Sequence, residues 1–230
     1  YDLTPYIQWG KPNVVAVRVD NAEQPNSRWY SGCGIYRHVW LRNLHPVHVA
    51  QWGTYVTTPQ VSEEQATFSV QTGIENTTGE KQVVTLLTSL LDADGKEVVR
   101  QNPDTLTVEA TETSVLTQVL KLDNPQLWSI ANPYLYQVYT QVLAADGKLL
   151  DAYTTNTGAR YFCFDAEKGF SLNGQPMKIN GVCMHHDLGC LGAAVNVRAL
   201  ERQLEILKEM GCNGIRCSHN PPAPELLDLC

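Results

Sequence analysis

The sequence predicts a mainly β chain: the end of one β-domain, an immunoglobulin-like sandwich, and the start of a parallel α/β array. Three observations predict this. Apolar and polar residues alternate through residues 47–157, and two Ala-Asp-Gly-Lys turns punctuate that stretch. A strand–helix–strand–helix order then begins near Gly158.

Residues 1–46 read as an ending. In Asn13-Val-Val-Ala-Val-Arg-Val19, Val15, Val17 and Val19 share one face while Ala16 and Arg18 share the other, the pattern of a half-buried strand. A polar loop rich in Asn, Gln and Pro follows from Asp20 to Arg28, and a second strand is expected from His38 to Leu41. Two strands do not make an independent sheet, so this segment is expected to close a larger β-domain.

Residues 47–157 show the period of two most clearly. Phe68, Val70 and Ile74 alternate with polar residues, as do Leu116, Leu120 and Leu122, and then Tyr136, Val138 and Val142. The turns at Ala93–Lys96 and Ala145–Lys148 each carry Asp-Gly, which supplies the positive φ of a tight hairpin. A stretch of about 110 residues of short strands without helical periodicity predicts an immunoglobulin-like sandwich, with Trp128 and Tyr136 partly in its core.

Residues 158–230 change character. Leu172-Asn173-Gly174-Gln175 signals a hairpin, and Met177 to Val182 reads as a short buried strand. Asn196 is placed to cap a helix carrying Val197, Leu200, Leu204 and Leu207 at helical spacing, and Gly211 can close it. Cys212 to Cys217 reads as a further strand, and Pro224 suits the first turn of a second helix with Leu226, Leu227 and Cys230 on its apolar side. Two strands of such an array cannot close a barrel.

Composition narrows the function classes. The chain has 230 residues, 43% hydrophobic and 18% charged, a globular balance that argues against disorder. A net charge of −7 without a Lys/Arg run argues against a nucleic-acid partner. No apolar run reaches the ~18 residues of a membrane span. The chain starts at Tyr1 without an initiator Met or a signal pattern, so the native N-terminus is expected to be missing; periplasmic and cytoplasmic locations both stay open. Seven cysteines without a Cys-x-x-Cys pair argue for free thiols rather than a structural zinc site.

Chemistry-bearing residues gather where the last two strands end. Met184-His185-His186-Asp187 follows the first, and Arg216-Cys217-Ser218-His219-Asn220 follows the second. The C-terminal strand ends form the active face of an α/β barrel, so His185, His186, Asp187, Arg216, His219 and Asn220 are expected to converge. The plainer readings stand beside this: a histidine at a strand end is commonly just hydrogen-bonded at the surface, and Arg216 can serve a structural ion pair. Adjacent strand residues point to opposite sides, which argues against His185 and His186 sharing a metal. Ser218, His219 and Asp187 suggest a hydrolase triad, but no Gly-x-Ser-x-Gly elbow accompanies them.

Four segments, in order, carry a family resemblance. Asn26-Ser-Arg-Trp-Tyr-Ser-Gly-Cys-Gly-Ile-Tyr-Arg37 resembles the closing strands of the N-terminal jelly roll of glycoside hydrolase family 2, the β-galactosidase group in particular. Leu127-Trp128-Ser129 followed by Asn132-Pro133-Tyr134-Leu135-Tyr136 is similar to its sandwich domain. Gly174-Gln-Pro-Met-Lys-Ile-Asn-Gly-Val-Cys-Met-His-His-Asp187 resembles its entry into the barrel, and Asn213-Gly-Ile-Arg-Cys-Ser-His-Asn-Pro221 its barrel signature.

The resemblance implies three domains: residues 1–46 as the C-terminal strands of a jelly-roll sugar-binding domain, 47–157 as the immunoglobulin-like sandwich, and 158–230 as the start of a (β/α)8 TIM barrel. It implies a retaining exo-β-glycosidase acting on terminal β-galactosides, with the acid/base and nucleophile glutamates beyond Cys230 and the fragment itself inactive. It places His185 and His219 on the sugar, Asp187 on sugar hydroxyls, Arg216 beside the nucleophile, and Asn220 in the same subsite. No metal ligands are expected in the fragment, and the resemblance allows Mg or Na in the parent through residues not present here. Asn220 stands where some members carry an aromatic residue, and the loop aspartate that some galactosidases present has no match near Arg28. Galactoside, glucuronide and mannoside therefore stay open as substrates, and a homo-oligomer is compatible with the sequence. The alternative is a non-catalytic carbohydrate-binding or structural β-sandwich module. A gene that continues for several hundred residues, with an Asn-Glu pair after a later strand, separates the two.

Overall fold

The computed structural model describes residues 1–23 and 34–230. Residues 26–33 of the jelly-roll-like motif, and Cys33 with them, lie outside the described residues. The chain divides into two compact units, residues 41–179 and residues 1–40 with 180–230.

The first unit is mainly an antiparallel sandwich. One sheet orders β1 (Val47–Val61), β2 (Gln65–Asn76) and β6 (Thr113–Asp123) as β1-β2-β6. The other orders β4 (Glu97–Arg100), β3 (Gln82–Leu91), β7 (Tyr136–Ala144) and β8 (Leu149–Thr157), and β5 (Asp104–Val108) also pairs with β3. The inward residues are those the alternation selects: Phe68, Val70, Leu90, Leu120, Tyr136 and Val138 form one buried cluster, and Ile74, Val84, Leu86, Val108 and Val142 another. A polar thread crosses the same interior. The Thr88 hydroxyl donates to Gln118 Oε1 at 2.7 Å, and Gln118 Nε2 donates to Asp104 at 2.8 Å. These partnered side chains avoid the desolvation cost of an unmade hydrogen bond, whereas Thr72 Oγ1 on β2 is buried without a partner among the described residues.

Local turn chemistry sets the hairpins. Gly95 and Gly147 adopt φ of 79° and 83°, closing β3–β4 and β7–β8 at the two Asp-Gly turns. Asn173 and Gly174 take φ of 49° and 76°, the pair of positive values a two-residue hairpin needs. That turn joins β10 (Gly169–Leu172) to β11 (Gln175–Pro176), and β9 (Phe162–Asp165) completes a small three-stranded sheet.

Trp128 is half-buried, with the Arg160 guanidinium 4.4 Å from its ring centroid. It lies so close to Gly158 that a Cβ there would meet Trp128 Cβ at 2.8 Å and Cγ at 2.9 Å. Gly158→Ala is therefore expected to destabilise the chain by about 1–3 kcal/mol, since an overpacked side chain must move off its rotamer. Urea unfolding checks this; an unchanged midpoint would show that Trp128 moves at no cost.

The second unit holds the parallel pair. β12 (Gly181–Met184) runs alongside β13 (Gly214–Cys217), with Gly181 opposite Gly214, Cys183 opposite Arg216 and Met184 opposite Cys217. A Cβ at Gly181 would lie 2.8 Å from the Gly214 carbonyl oxygen, so glycine is what lets these backbones approach. Between the strands runs α1 (Val197–Glu209), capped by Asn196, whose Oδ1 accepts from the Ala199 N–H at 3.0 Å. Gly211 follows its end at φ 87°. Helix α2 (Pro224–Leu229) begins at the expected proline, and Leu188, Leu200 and Leu226 are buried together between the elements.

Two expectations need correcting. Met177 to Val182 is not the strand: β12 starts at Gly181, because only from there does the backbone face β13 in register. Neither Asn13–Val19 nor His38–Leu41 forms a strand. Among the described residues no ladder reaches them, and Val15 and Val17 are 68% and 61% exposed. Alternation marks which face a segment would bury, but a strand exists only when a neighbour takes its hydrogen bonds.

Candidate functional site

The parallel pair places the site. Residues opposite each other in register point the same way, so Cys183 on β12 faces Arg216 on β13. Ser218 comes two residues after Arg216, and its N–H donates to the Met184 carbonyl at 2.8 Å, tying the two strand ends together. The peptide bond from Ser218 to His219 is cis.

The predicted residues form two groups. In the first, Arg216 Nη1 donates to Ser218 Oγ at 2.5 Å and lies 3.6 Å from Cys183 Sγ. Arg216 Nη2 is 3.3 Å from His219 Nδ1. A guanidinium only donates, so Nδ1 of His219 accepts and is bare, which leaves its proton on Nε2. Hydrogen bonds from Ser218 and Arg216 hold the Cys183 thiol below its ordinary value. A cation and a ring N–H displayed at a strand end suit an anionic carboxylate or sugar hydroxyls.

In the second group, Asn220 Nδ2 donates to His186 Nδ1 at 3.0 Å, and the His186 ring lies 6.3 Å from that of Tyr36. His185, His186, Tyr36, Val195 and Asn220 line a small cavity of about 30 Å³. Arg37 closes one side, donating to the carbonyls of Pro221 at 2.5 Å and Pro222 at 3.3 Å. His38 pairs with Glu225. The Glu225 carboxyl is held below its ordinary range, first by its own backbone N–H at the start of α2 and then by His38. Asp187 is exposed, and no hydrogen bond between the described residues joins it to either group.

The opposite-sides argument for His185 and His186 does not apply, because β12 ends at Met184 and both line the one cavity. Among the described residues no three His, Cys, Asp or Glu side chains are grouped to hold a metal ion. The Ser218 triad reading also lacks its geometry: Ser218 Oγ accepts from Arg216, and Asp187 does not reach His219 by any hydrogen bond described. Sequence reasoning missed Cys183, Tyr36, Arg37, His38 and Glu225. Cys183 left a signal as the residue one before the end of its strand, as Arg216 is in the parallel neighbour, and Tyr36 and Arg37 lay in the quoted Asn26–Arg37 motif.

Comparison with known proteins adds to this geometry. The family models described as glycosyl hydrolases family 2 and as its TIM barrel domain match residues 47–160 and 166–230. A beta-galactosidase of Bacteroides ovatus, BoGH2A, is 61% identical over 230 residues, all of this chain and 27% of that protein. A putative beta-glucuronidase of Formosa agariphila is 38% identical, over all of this chain and 21% of that protein. A glycosyl hydrolase family 2 member from Bacteroides cellulosilyticus superposes with a TM-score of 0.94 at 44% identity, covering 100% of this chain and 31% of that one. Bacteroides uniformis beta-glucuronidase superposes with a TM-score of 0.87 at 35% identity, covering 100% and 29%. The chain thus spans between a fifth and a third of the length of these proteins.

Proposed function

We propose, from the premise that the chain belongs to glycosyl hydrolases family 2, that the whole protein hydrolyses terminal β-galactosides with retention. The carrying observation is the 61% identity, over the whole of this chain, to a protein named a beta-galactosidase. The beta-glucuronidases among the relatives share less identity, 38% in the first of them.

The domain assignment goes with this reading: residues 1–46 end a jelly roll, 47–157 form the sandwich, and 158–230 begin the barrel. The site residues are assigned accordingly. His185 and His219 hydrogen-bond the sugar, with the Nε2 proton of His219 as its donor. Asp187 and Asn220 contact sugar hydroxyls. Arg216 presents its charge beside the nucleophilic carboxylate and keeps it ionised, since a neighbouring cation favours the charged form. Two carboxyls about 5 Å apart, outside these residues, then act in turn. One attacks the anomeric carbon as the other protonates the leaving oxygen. The glycosyl–enzyme bond is next broken by a water that the second group deprotonates, restoring the original anomeric configuration.

The test uses the whole protein and a set of chromogenic β-glycosides. Preference for β-galactoside by at least tenfold is expected, with the first product anomer seen by NMR retaining the β configuration. A preference for β-glucuronide or β-mannoside would sink the substrate assignment, and an inverted product the mechanism. The 230-residue chain alone is expected to give no turnover above buffer.

A further inference from the structure

Arg216 is held by a closed set of contacts that the proposed chemistry does not by itself require. Ser218 is 4% exposed, and its backbone is fastened to the end of β12 through the Met184 carbonyl. Its Oγ accepts from Arg216 Nη1 at 2.5 Å. Cys183, across the ladder, takes a second contact from the same Nη1 at 3.6 Å. Ser218 Oγ and Cys183 Sγ are thus held to one guanidinium nitrogen, from just beyond the same strand and from the strand opposite. So Arg216 Nη1 is shared between the serine oxygen, which accepts, and the cysteine sulfur. His219 Nδ1 fixes the other end of the guanidinium at 3.3 Å.

An arginine side chain has four rotatable bonds before its planar fork and loses about 2 kcal/mol of rotamer entropy when fixed. Contacts that fix it beforehand spare a later step that ordering cost, so it acts as a preorganised charge. We infer that Ser218 and Cys183 are positioning residues that aim the Arg216 guanidinium, acting on the reaction only through that arginine. The inference rests on the role proposed above for Arg216 but not on the identity of the sugar.

A double-mutant cycle in the whole protein tests it, on whichever β-glycoside the wild type turns over fastest. S218A is expected to lower kcat/KM about 10- to 100-fold, mainly in kcat, and to cost less than threefold when Arg216 is already alanine. Such coupling is what residues acting through one group show. The smaller pair C183A and C183S supplies a second reading should S218A not fold. C183A is expected to lose about 3- to 10-fold, and C183S, which keeps an acceptor and a donor, to recover most of that loss. Equal losses from S218A in both backgrounds, or equal losses from C183A and C183S, would overturn the inference. A preference for glucuronide refutes the galactoside reading and leaves this cycle intact, whereas no hydrolysis of any β-glycoside refutes both.

Discussion

Arg216→Ala in the whole protein is expected to lower kcat/KM by about two to three orders of magnitude. The guanidinium is set at the end of β13 by Ser218, Cys183 and His219, so it presents a fixed charge rather than a wandering one. Removing one preorganised electrostatic partner of a reacting group costs roughly 10²–10³ in rate in comparable sites. The sign of the pH effect follows from the same charge. A cation beside a carboxylate lowers its pKa, so without Arg216 the nucleophile stays protonated to higher pH. The acid limb of the kcat/KM profile is therefore expected to move upward in R216A. Arg216→Lys keeps the charge but loses the planar fork, so its acid limb should stay near wild type while the rate falls. A loss below about threefold in R216A, with an unmoved acid limb, would take Arg216 out of the reaction.

Phe68→Ala is expected to have the largest effect on stability, about 3–5 kcal/mol. Phe68 is fully buried on β2, pairs with Leu120 of β6 in register, and meets the Tyr136 ring edge-on at 5.8 Å. Its loss leaves a cavity between the two sheets that rigid strands cannot collapse to fill. Against a typical domain stability of ~5–15 kcal/mol, that is enough to unfold a marginal sandwich. Val119→Ala is the control: Val119 lies on β6 beside Leu120, but is 44% exposed. It should cost no more than about 0.5 kcal/mol. Urea midpoints of the two variants check the pair. Similar midpoints would mean that the core between the sheets is not where the stability resides.

The features legible in the sequence are those whose physics is local. The Asp-Gly turns at Gly95 and Gly147 and the Asn173-Gly174 turn were readable because a positive φ favours those residue types within two positions of the bend. The Asn196 cap, the closing Gly211 and the Pro224 start bounded both helices for the same reason. Period two selected Phe68, Val70, Ile74, Tyr136, Val138 and Val142, since a strand face repeats every second residue whatever its partner. The candidate residues His185, Asp187, Arg216, His219 and Asn220 were named through motif resemblance.

What the tertiary structure alone decided is pairing. Alternation in Asn13–Val19 described a strand that no described segment completes, and the start of β12 moved from Met177 to Gly181 to meet its partner. The division of the site into an Arg216–His219 group and a His186–Asn220 group follows from where each strand stops, and Asp187 falls outside both. The contact of Arg216 with both Cys183 and Ser218 depends on residues 33 positions apart being set opposite one another. A shift of one residue in the parallel register would turn Cys183 to the other face, and no local preference of either strand fixes that register. It is set by the close approach of Gly181 to Gly214 and by the Ser218–Met184 hydrogen bond, contacts between segments that exist only once the chain has folded.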